Sequence, residues 1–281
     1  MTLYTRRNHP GYLFAPDPAG NLALTVGTDG SYLFRTPVTP PPGPPGGPKM
    51  GVLDPVPVGK QQTFGKVFAD YGSMAAVGAD FYFWQANPAS SSPWTIWDPA
   101  MWRLDLVKRL LLGHAQAEGQ NVRTCGLGRK RGYTGEVVTK VHCRRPAVPG
   151  LKRNGGIWWP TDGNAPQEPE LDDAEDDGTG TGFDMNVHLG SGWPSLVFSK
   201  HAVCDTTKWG VLSMEQSPTG TTTIWTPDDG TAPVSLTYSN PSLPVTSHNL
   251  DVQIEALGPS IALPTGGVDF EWDWWQELVP A

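Results

Sequence analysis

The chain has few cysteines and no long apolar run, and its first residues contain no apolar segment. Its 281 residues include 3 cysteines, Cys125, Cys143 and Cys204, which are too few for a disulfide framework. No stretch approaches the roughly 20 apolar residues that a membrane-spanning helix requires. The opening MTLYTRRNHPGYLF lacks the apolar region of a secretory signal. These absences predict a protein that is made in a cytoplasm and does not insert into a membrane.

Charged side chains are also scarce. They make up 17% of the chain, against roughly 25% in an average soluble domain. The net charge of −8 argues against a nucleic-acid partner, because phosphate contacts require a basic surface. The charges are uneven: residues 123–153 are mostly basic and residues 168–184 are acidic. Charge runs of this kind are usually solvated loops, and complementarity within or between subunits is the alternative.

Glycine, proline and tryptophan are abundant. The chain has 33 Gly, 29 Pro and 12 Trp. Disordered chains have few aromatic residues, so this composition favours aromatic-rich strands joined by many turns. We therefore predict a mainly β protein with antiparallel sheets.

One segment stands apart as a predicted amphipathic helix, at about 98–118. Asp98 is a good N-cap, Pro99 suits the first helical position, and Gly119 suits a left-handed C-cap. Apolar residues such as Trp102, Leu106 and Leu110 share one side of this helix. Such a face is expected to lie on a sheet formed by the flanking segments.

Composition divides the chain into five predicted parts. LALTV and SYLFR, separated by Gly27–Gly30, predict a β-hairpin unit within residues 1–36. Residues 37–50 are a Pro/Gly-rich extended arm, residues 51–160 a β domain with the helix, and residues 161–182 an acidic linker. Residues 183–281 contain seven short strand candidates, which predict an antiparallel C-terminal sandwich or barrel-like domain.

The acidic segment also suggests a calcium loop. Asp173, Glu175, Asp177 and Asp184 fall at positions 1, 3, 5 and 12 of an EF-hand-like loop, with Gly178 at position 6. Position 3 is Glu where the motif has Asp or Asn, and position 12 is Asp where the motif has Glu. Prolines at 166 and 169 exclude a helix that leads into the loop. A solvated acidic loop without a cation is the alternative, and no other cofactor is predicted.

Two tryptophan clusters are candidate glycan or interface residues: Trp158 and Trp159, and then Trp272, Trp274 and Trp275. Aromatic side chains are enriched at protein interfaces, and burial in a core or a subunit interface is the alternative to a glycan platform. Glu271 and Asp273, two apart on one predicted strand, form a conceivable carboxylate pair for glycoside hydrolysis. No catalytic residue is predicted.

The whole chain resembles a minor tail protein of a long-tailed phage of actinobacteria. The resemblance lies in the Pro40–Pro48 arm, the short Trp-containing strands, the single embedded helix and the low charge. It implies a structural virion protein near the tail tip that is not an enzyme and that binds other tail proteins and copies of itself. A host-surface module that binds a carbohydrate or a receptor is the first alternative, and a hydrolase is the second.

Overall fold

The computed structural model describes residues 24–26, 32–34, 50–85, 92–160, 170–189, 196–241, 243 and 248–281. The chain forms two compact units, Met1–Gly47 and Pro48–Ala281. In the first, strands β1 (Leu24–Val26) and β2 (Tyr32–Phe34) pair antiparallel with Thr25 opposite Leu33, as the predicted hairpin requires. The predicted arm at 37–50 lies outside the described residues except for its last residue.

The second unit is built mainly from strands, which confirms the predicted fold class. Its first strands are β3 (Lys60–Val67), β4 (Phe81–Phe83), β5 (Thr95–Trp97), β6 (Trp102–Asp105), β7 (Leu110–Glu118), β8 (Asn121–Thr124), β9 (Gly126–Arg129), β10 (Val137–Arg144) and β11 (Leu151–Pro160). The later strands are β12 (Glu170–Glu175), β13 (Gly182–His188), β14 (Leu196–Val203), β15 (Gly210–Ser217), β16 (Gly220–Pro227), β17 (Val234–Ser239), β18 (His248–Ala256) and β19 (Val268–Pro280).

In the described part of the chain, helical structure is limited to short segments. The α-helix α1 spans Met74–Asp80, and single 3₁₀ turns lie at Phe68–Tyr71 and Pro99–Met101. The Ser73 side chain accepts a hydrogen bond from the Ala76 backbone N–H and so caps α1. Among the described residues, no helix has the length and the apolar character needed to cross a membrane.

Two sheets pack face to face as a jelly-roll sandwich. The larger has the order β17-β16-β15-β10-β19-β7-β8-β5, with β3 also paired to β19 and β6 to β7. The smaller has the order β14-β13-β12-β11-β18-β9-β4. All of these pairs are antiparallel except β5 with β8. Buried apolar side chains from both sheets, such as Leu151 and Ile254 from the smaller and Leu212 and Trp272 from the larger, fill the space between them.

This topology corrects the predicted division at residues 161–182. Strand β19 near the C-terminus pairs with β3, β7 and β10, and β18 pairs with β9 and β11. The segments 51–160 and 183–281 therefore share both sheets and one core. The predicted acidic linker contains β12, which lies between β11 and β13 in the smaller sheet.

The predicted helix at 98–118 is also wrong. Asp98 does cap a helical start, since its carboxylate accepts from the Ala100 backbone N–H at 2.8 Å, but the helix ends after one turn at Met101. The remainder is the hairpin of β6 and β7, whose turn includes Arg109 at φ 64°. Strand β7 pairs with β6, β8 and β19, so tertiary pairing prevails over the helical spacing of its leucines.

A matched pair of β-bulges interrupts β11 and β12 side by side. Between Asn154 and Ile157 the register of β11 shifts against β18, and between Asp172 and Glu175 the register of β12 shifts against β13. Gly155 and Gly156 occupy the bulge of β11. A Cβ atom on Gly156 would lie 2.0 Å from Met214 Sδ of the larger sheet, so this position accepts no side chain without repacking.

We expect Gly156→Ala to lower the free energy of unfolding by about 1–3 kcal/mol, because the added methyl group overpacks the space in front of Met214. Chemical denaturation of the variant and the wild type measures the difference. Gly258→Ala is the matched control, since a Cβ there meets nothing within 4 Å. Equal stability of the two variants would show that the bulge tolerates a side chain.

Candidate active site

The face of the smaller sheet that points away from the core carries a pocket lined mainly by polar side chains. Strand β18 shows why: Leu250, Val252, Ile254 and Ala256 belong to the core. The alternate residues Gln253 and Glu255 line the pocket. Neighbouring strands contribute the rest of this acidic pocket, which is lined by Lys152, Asn154, Glu170, Asp172, Glu175, Asn186, His188, Leu196, Gln253 and Glu255.

The bulge in β12 determines which acidic residues of Glu170–Glu175 point into the pocket. Leu171 and Ala174 pack in the core, and the buried Asp173 accepts a hydrogen bond from Thr221 of the larger sheet at 2.6 Å. Two successive residues, Asp173 and Ala174, therefore face inward, and the alternation resumes one residue later. Glu170, Asp172 and Glu175 consequently share the pocket face of one strand.

Glu175 is held by three donors. Its Oε1 lies 2.5 Å from Lys152 Nζ and 3.2 Å from Asn154 Nδ2, and its Oε2 lies 2.5 Å from Asn186 Nδ2. Lys152 Nζ also lies 3.2 Å from Glu255 Oε2. These contacts orient the carboxylate with groups from β11 and β13, the two neighbours of β12.

Asp172 lies beside Glu170 and Glu175 on the pocket face of β12. Burial, followed by the negative charge of Glu175, raises the pKa of Asp172 well above its usual range, while Lys152 and the bond to Glu170 oppose the shift. His188 Nε2 lies 3.4 Å from Asp172 Oδ2. The environment of the pocket therefore favours the protonated form of Asp172.

The pocket also contains buried hydrogen-bond acceptors without a partner among the described residues. Asn154 Oδ1 and Gln253 Oε1 have none, although their side chains belong to residues only 1% and 6% exposed. Such atoms are uncommon in folded proteins because each loses its bond to water. Their chemistry suits a ligand that donates hydrogen bonds, such as a polyhydroxylated molecule.

A second polar cluster lies on the same face, two strands away from β12. The Tyr82 hydroxyl lies 2.6 and 2.7 Å from the two carboxyl oxygens of Asp251, and Asn249 Nδ2 donates to both residues at 2.8 Å. Gly128 lies between them, and a Cβ there would lie 2.0 Å from Asp251 Oδ1. Burial raises the pKa of Asp251 to about 8, so this side chain is mostly neutral at pH 7.

The structure does not bring the four predicted calcium ligands together. Glu175 faces the pocket, and Asp173 contacts Thr221. Asp177 accepts from the Thr179 backbone N–H at 2.9 Å, and Asp184 contacts His201 Nδ1 at 2.9 Å. Within the described residues, no group of three or more His, Cys, Asp or Glu side chains has the arrangement of a metal site.

The C-terminal tryptophans are buried rather than displayed. Trp272, Trp274 and Trp275 are at most 2% exposed, which matches the alternative of burial and leaves no glycan platform there. A bulge in β19 opposite His142 and Cys143 shifts its register against β10 between Trp272 and Trp274. Trp158 and Trp159 pair through their backbones with β18, and their side chains lie outside the described part of the chain.

Glu271 and Asp273 are committed to ion pairs away from the acidic pocket. Glu271 pairs with Arg144, and Asp273 Oδ2 contacts His142 Nδ1 at 2.9 Å. His142 Nε2 in turn lies 3.0 Å from Asp228. All of these residues belong to the larger sheet or to its connecting loops, so this pair is not the site.

Glu170 and Asp172 were not among the predicted site residues, and Glu175 was predicted as a calcium ligand. The high density of acids favoured a solvated loop over a strand. A signal was nevertheless present: Glu170, Leu171 and Asp172 alternate with period two, and the next strand alternates Phe183, Met185 and Val187 with polar residues. The period-two pattern does not extend to Glu175, because the bulge shifts the alternation of β12 by one residue.

Comparison with known proteins identifies the fold as one found in glycoside hydrolases. An endo-β-1,3-glucanase from Pyrococcus furiosus is 12% identical, with a TM-score of 0.64 over 79% of this chain and 95% of that chain. A glycoside hydrolase family 16 endo-glucanase from Bacteroides ovatus is 12% identical, with a TM-score of 0.61 over 76% and 99%. A glycosyl hydrolase family protein from Mycobacterium fortuitum is 18% identical, with a TM-score of 0.59 over 77% and 99%. No family model matches the chain, and no curated protein matches it either.

These findings overturn the predicted function. The expectation of a structural tail component without enzymatic activity is contradicted, because the similar solved structures reported above are named as glucanases or as a glycosyl hydrolase family protein. Nothing in the comparisons bears on the resemblance to phage tail proteins. Sugar binding, the first alternative above, is compatible with neighbours that bind glucans.

Proposed function

We propose that this protein is a glycoside hydrolase that cleaves a neutral β-linked polysaccharide. The observation that carries the proposal is the β12 bulge, which places Glu170, Asp172 and Glu175 on one face inside a pocket. Glycoside hydrolysis requires two carboxyl groups in different protonation states on either side of the scissile bond. Burial raises the pKa of Asp172 well above its usual range, so this pocket favours one protonated carboxyl group beside the other acids.

The charge of the pocket determines the class of polysaccharide. Four acids line it, Glu170, Asp172, Glu175 and Glu255, against one lysine, Lys152. A cleft with an excess of one charge repels ligands of the same sign, so uronate-rich or sulfated polymers are disfavoured. The unpartnered acceptors Asn154 Oδ1 and Gln253 Oε1 match hydroxyl donors. The similar structures named as endo-β-1,3-glucanase and endo-glucanase support a β-glucan as the neutral polymer.

The proposed reaction proceeds with retention. Protonated Glu175 gives its proton to the glycosidic oxygen as the C1–O bond breaks, and the Glu170 carboxylate attacks C1 to form a glycosyl-enzyme ester. Asp172, whose pKa is raised by burial, stays neutral in this reaction, so that Glu170 is the ionised carboxylate of β12 that attacks. Ionised Glu175 then takes a proton from water, the hydroxide oxygen bonds to C1, and Glu170 leaves as a carboxylate.

A substrate panel tests the function. Purified protein is incubated with a β-1,3-glucan and a mixed-linkage β-1,3/1,4-glucan, and with polygalacturonate and carboxymethylcellulose as anionic polymers. We expect reducing ends to appear from the neutral glucans alone. The Glu170→Gln/Glu175→Gln double variant controls for contaminating activity. Equal release by wild type and double variant, or none from any neutral polymer, would contradict the proposal.

A further inference from the structure

Lys152 is the one basic side chain on the acidic pocket apart from His188. It extends from β11 and is 19% exposed at its side chain. Its ammonium contacts Glu175 at 2.5 Å and Glu255 at 3.2 Å, so it bridges carboxylates of β12 and β18. Burial alone would lower the pKa of Lys152, but the charges of Glu175 and Glu255 overcome it and raise this pKa above its usual range. The ammonium is therefore a permanent charge beside Glu175.

Glu255 is fixed independently of the lysine. Its Oε1 accepts from the Ser92 backbone N–H, which leaves Oε2 directed at Lys152. Glu255 also stands directly opposite Lys152 in the antiparallel register of β11 and β18. The lysine thus has two carboxylate partners. Its attraction to Glu255 weakens its interaction with Glu175.

This bridge bears directly on the proposed general acid. A general acid must carry a proton when substrate binds, and an ammonium at 2.5 Å favours the ionised carboxylate. We propose that Lys152 is a positioning residue that sets the protonation of Glu175, and that Glu255 moderates it by competing for the ammonium. This inference rests on the proposed function, because the roles of Glu175 as acid and base come from it.

Other charges around Glu175 come from each neighbouring strand. The charged side chains on β12 and β18 are acidic, and β13 carries one acidic residue and one histidine. They are Glu170 and Asp172 on β12, Asp184 opposite Glu175 and His188 opposite Glu170 on β13, and Glu255 on β18. Asp184 is itself paired with His201 of β14. Lys152 is the cation that contacts Glu175 among these charges, at 2.5 Å.

The pH profile of kcat/KM measures this balance, because its basic limb reports loss of the proton from the acid in the free enzyme. We expect Lys152→Met to move the basic limb upward by about one pH unit or more, since an opposite charge in contact shifts a titration by roughly 1–3 units. Glu255→Gln is expected to move it downward, because Lys152 then pairs with Glu175 alone. A basic limb that stays in place in Lys152→Met would overturn the inference.

Two further variants separate positioning from general electrostatics. In the Lys152→Met background, Glu255→Gln is expected to shift the profile less than it does in the wild type, because its effect acts through the lysine. Lys152→Arg keeps the charge and is expected to retain most of the wild-type profile. Equal effects of Glu255→Gln in both backgrounds would show that Glu255 acts on Glu175 directly.

A measurement without substrate keeps this inference separate from the proposed function. Titration of ¹³C-labelled Glu side chains by NMR, with Glu175 assigned from the Glu175→Gln spectrum, gives its midpoint in each folded variant. A higher midpoint in Lys152→Met supports the role of the lysine even if no polysaccharide is cleaved, in which case the proposed function alone fails. An unchanged midpoint in an active enzyme overturns the role of the lysine and leaves the function in place.

Discussion

Replacing either proposed catalytic glutamate is expected to abolish most of the activity. Glu175→Gln removes proton transfer to the glycosidic oxygen, which contributes about 10²–10⁴-fold to the rate. Glu170→Gln removes the nucleophile, and we expect a loss of at least about 10⁴-fold, because no covalent intermediate can form. Initial rates of reducing-end release from the preferred glucan measure both losses.

The matched control is Glu215→Gln, an exposed glutamate on β15 of the larger sheet. It makes the same chemical change outside the acidic pocket, and we expect wild-type rates. Thermal unfolding of all three variants shows whether they are folded. A folded Glu170→Gln or Glu175→Gln protein with undiminished activity would remove that residue from the mechanism.

Azide rescue assigns the two roles. In Glu170→Gly, azide fills the place of the nucleophile and is expected to give a glycosyl azide of inverted configuration from an activated glycoside. In Glu175→Ala, azide attacks the glycosyl-enzyme, and the configuration is expected to be retained. A 2-deoxy-2-fluoro dinitrophenyl glycoside should add its sugar mass to Glu170 in the wild type. Labelling of Glu175 instead would exchange the assigned roles.

The second large effect concerns stability, at a buried ion pair that joins the two sheets. Arg129 of β9 contacts both carboxyl oxygens of Glu277 of β19, at 2.7 and 3.1 Å, and the two side chains are 4% and 1% exposed. Tyr133 and Trp275 donate further hydrogen bonds to Glu277. Arg129→Met leaves a buried carboxylate without its cation, and we expect a loss of about 3–5 kcal/mol in the free energy of unfolding.

Two comparisons isolate this pair. Arg103→Gln breaks the Arg103–Asp269 pair, whose arginine is 53% exposed, and is expected to change stability by less than about 1 kcal/mol. The double variant Arg129→Met/Glu277→Leu removes both charges and should recover much of the loss, because no uncompensated charge stays buried. Denaturation of the four proteins measures these differences. A double variant as unstable as Arg129→Met would show that the packing of the arginine, rather than its charge, provides the stability.

Local composition was a sound guide where local chemistry dominates. Glycine, proline and aromatic content indicated antiparallel β structure, and Gly27–Gly30 between two β-prone segments indicated the hairpin of β1 and β2. The Asp98 cap was also identified, because capping depends on a few neighbouring residues. The helix prediction was wrong because it relied on the spacing of Leu106 and Leu110. That spacing contains no information about the pairing of β7 with the distant strand β19.

The amino-acid sequence by itself determined that this protein is mainly β, has no disulfide framework and carries an acidic segment around Asp173. Only the tertiary structure decided that Glu170, Asp172 and Glu175 share one pocket. That outcome depends on a bulge in β12 matched by Gly155 and Gly156 in β11, and on Lys152 and Glu255 meeting across strands 103 positions apart in the chain. The periodicity of one strand does not reveal a register shift that depends on its neighbours. The set of side chains in this pocket is therefore decided by pairing between distant segments.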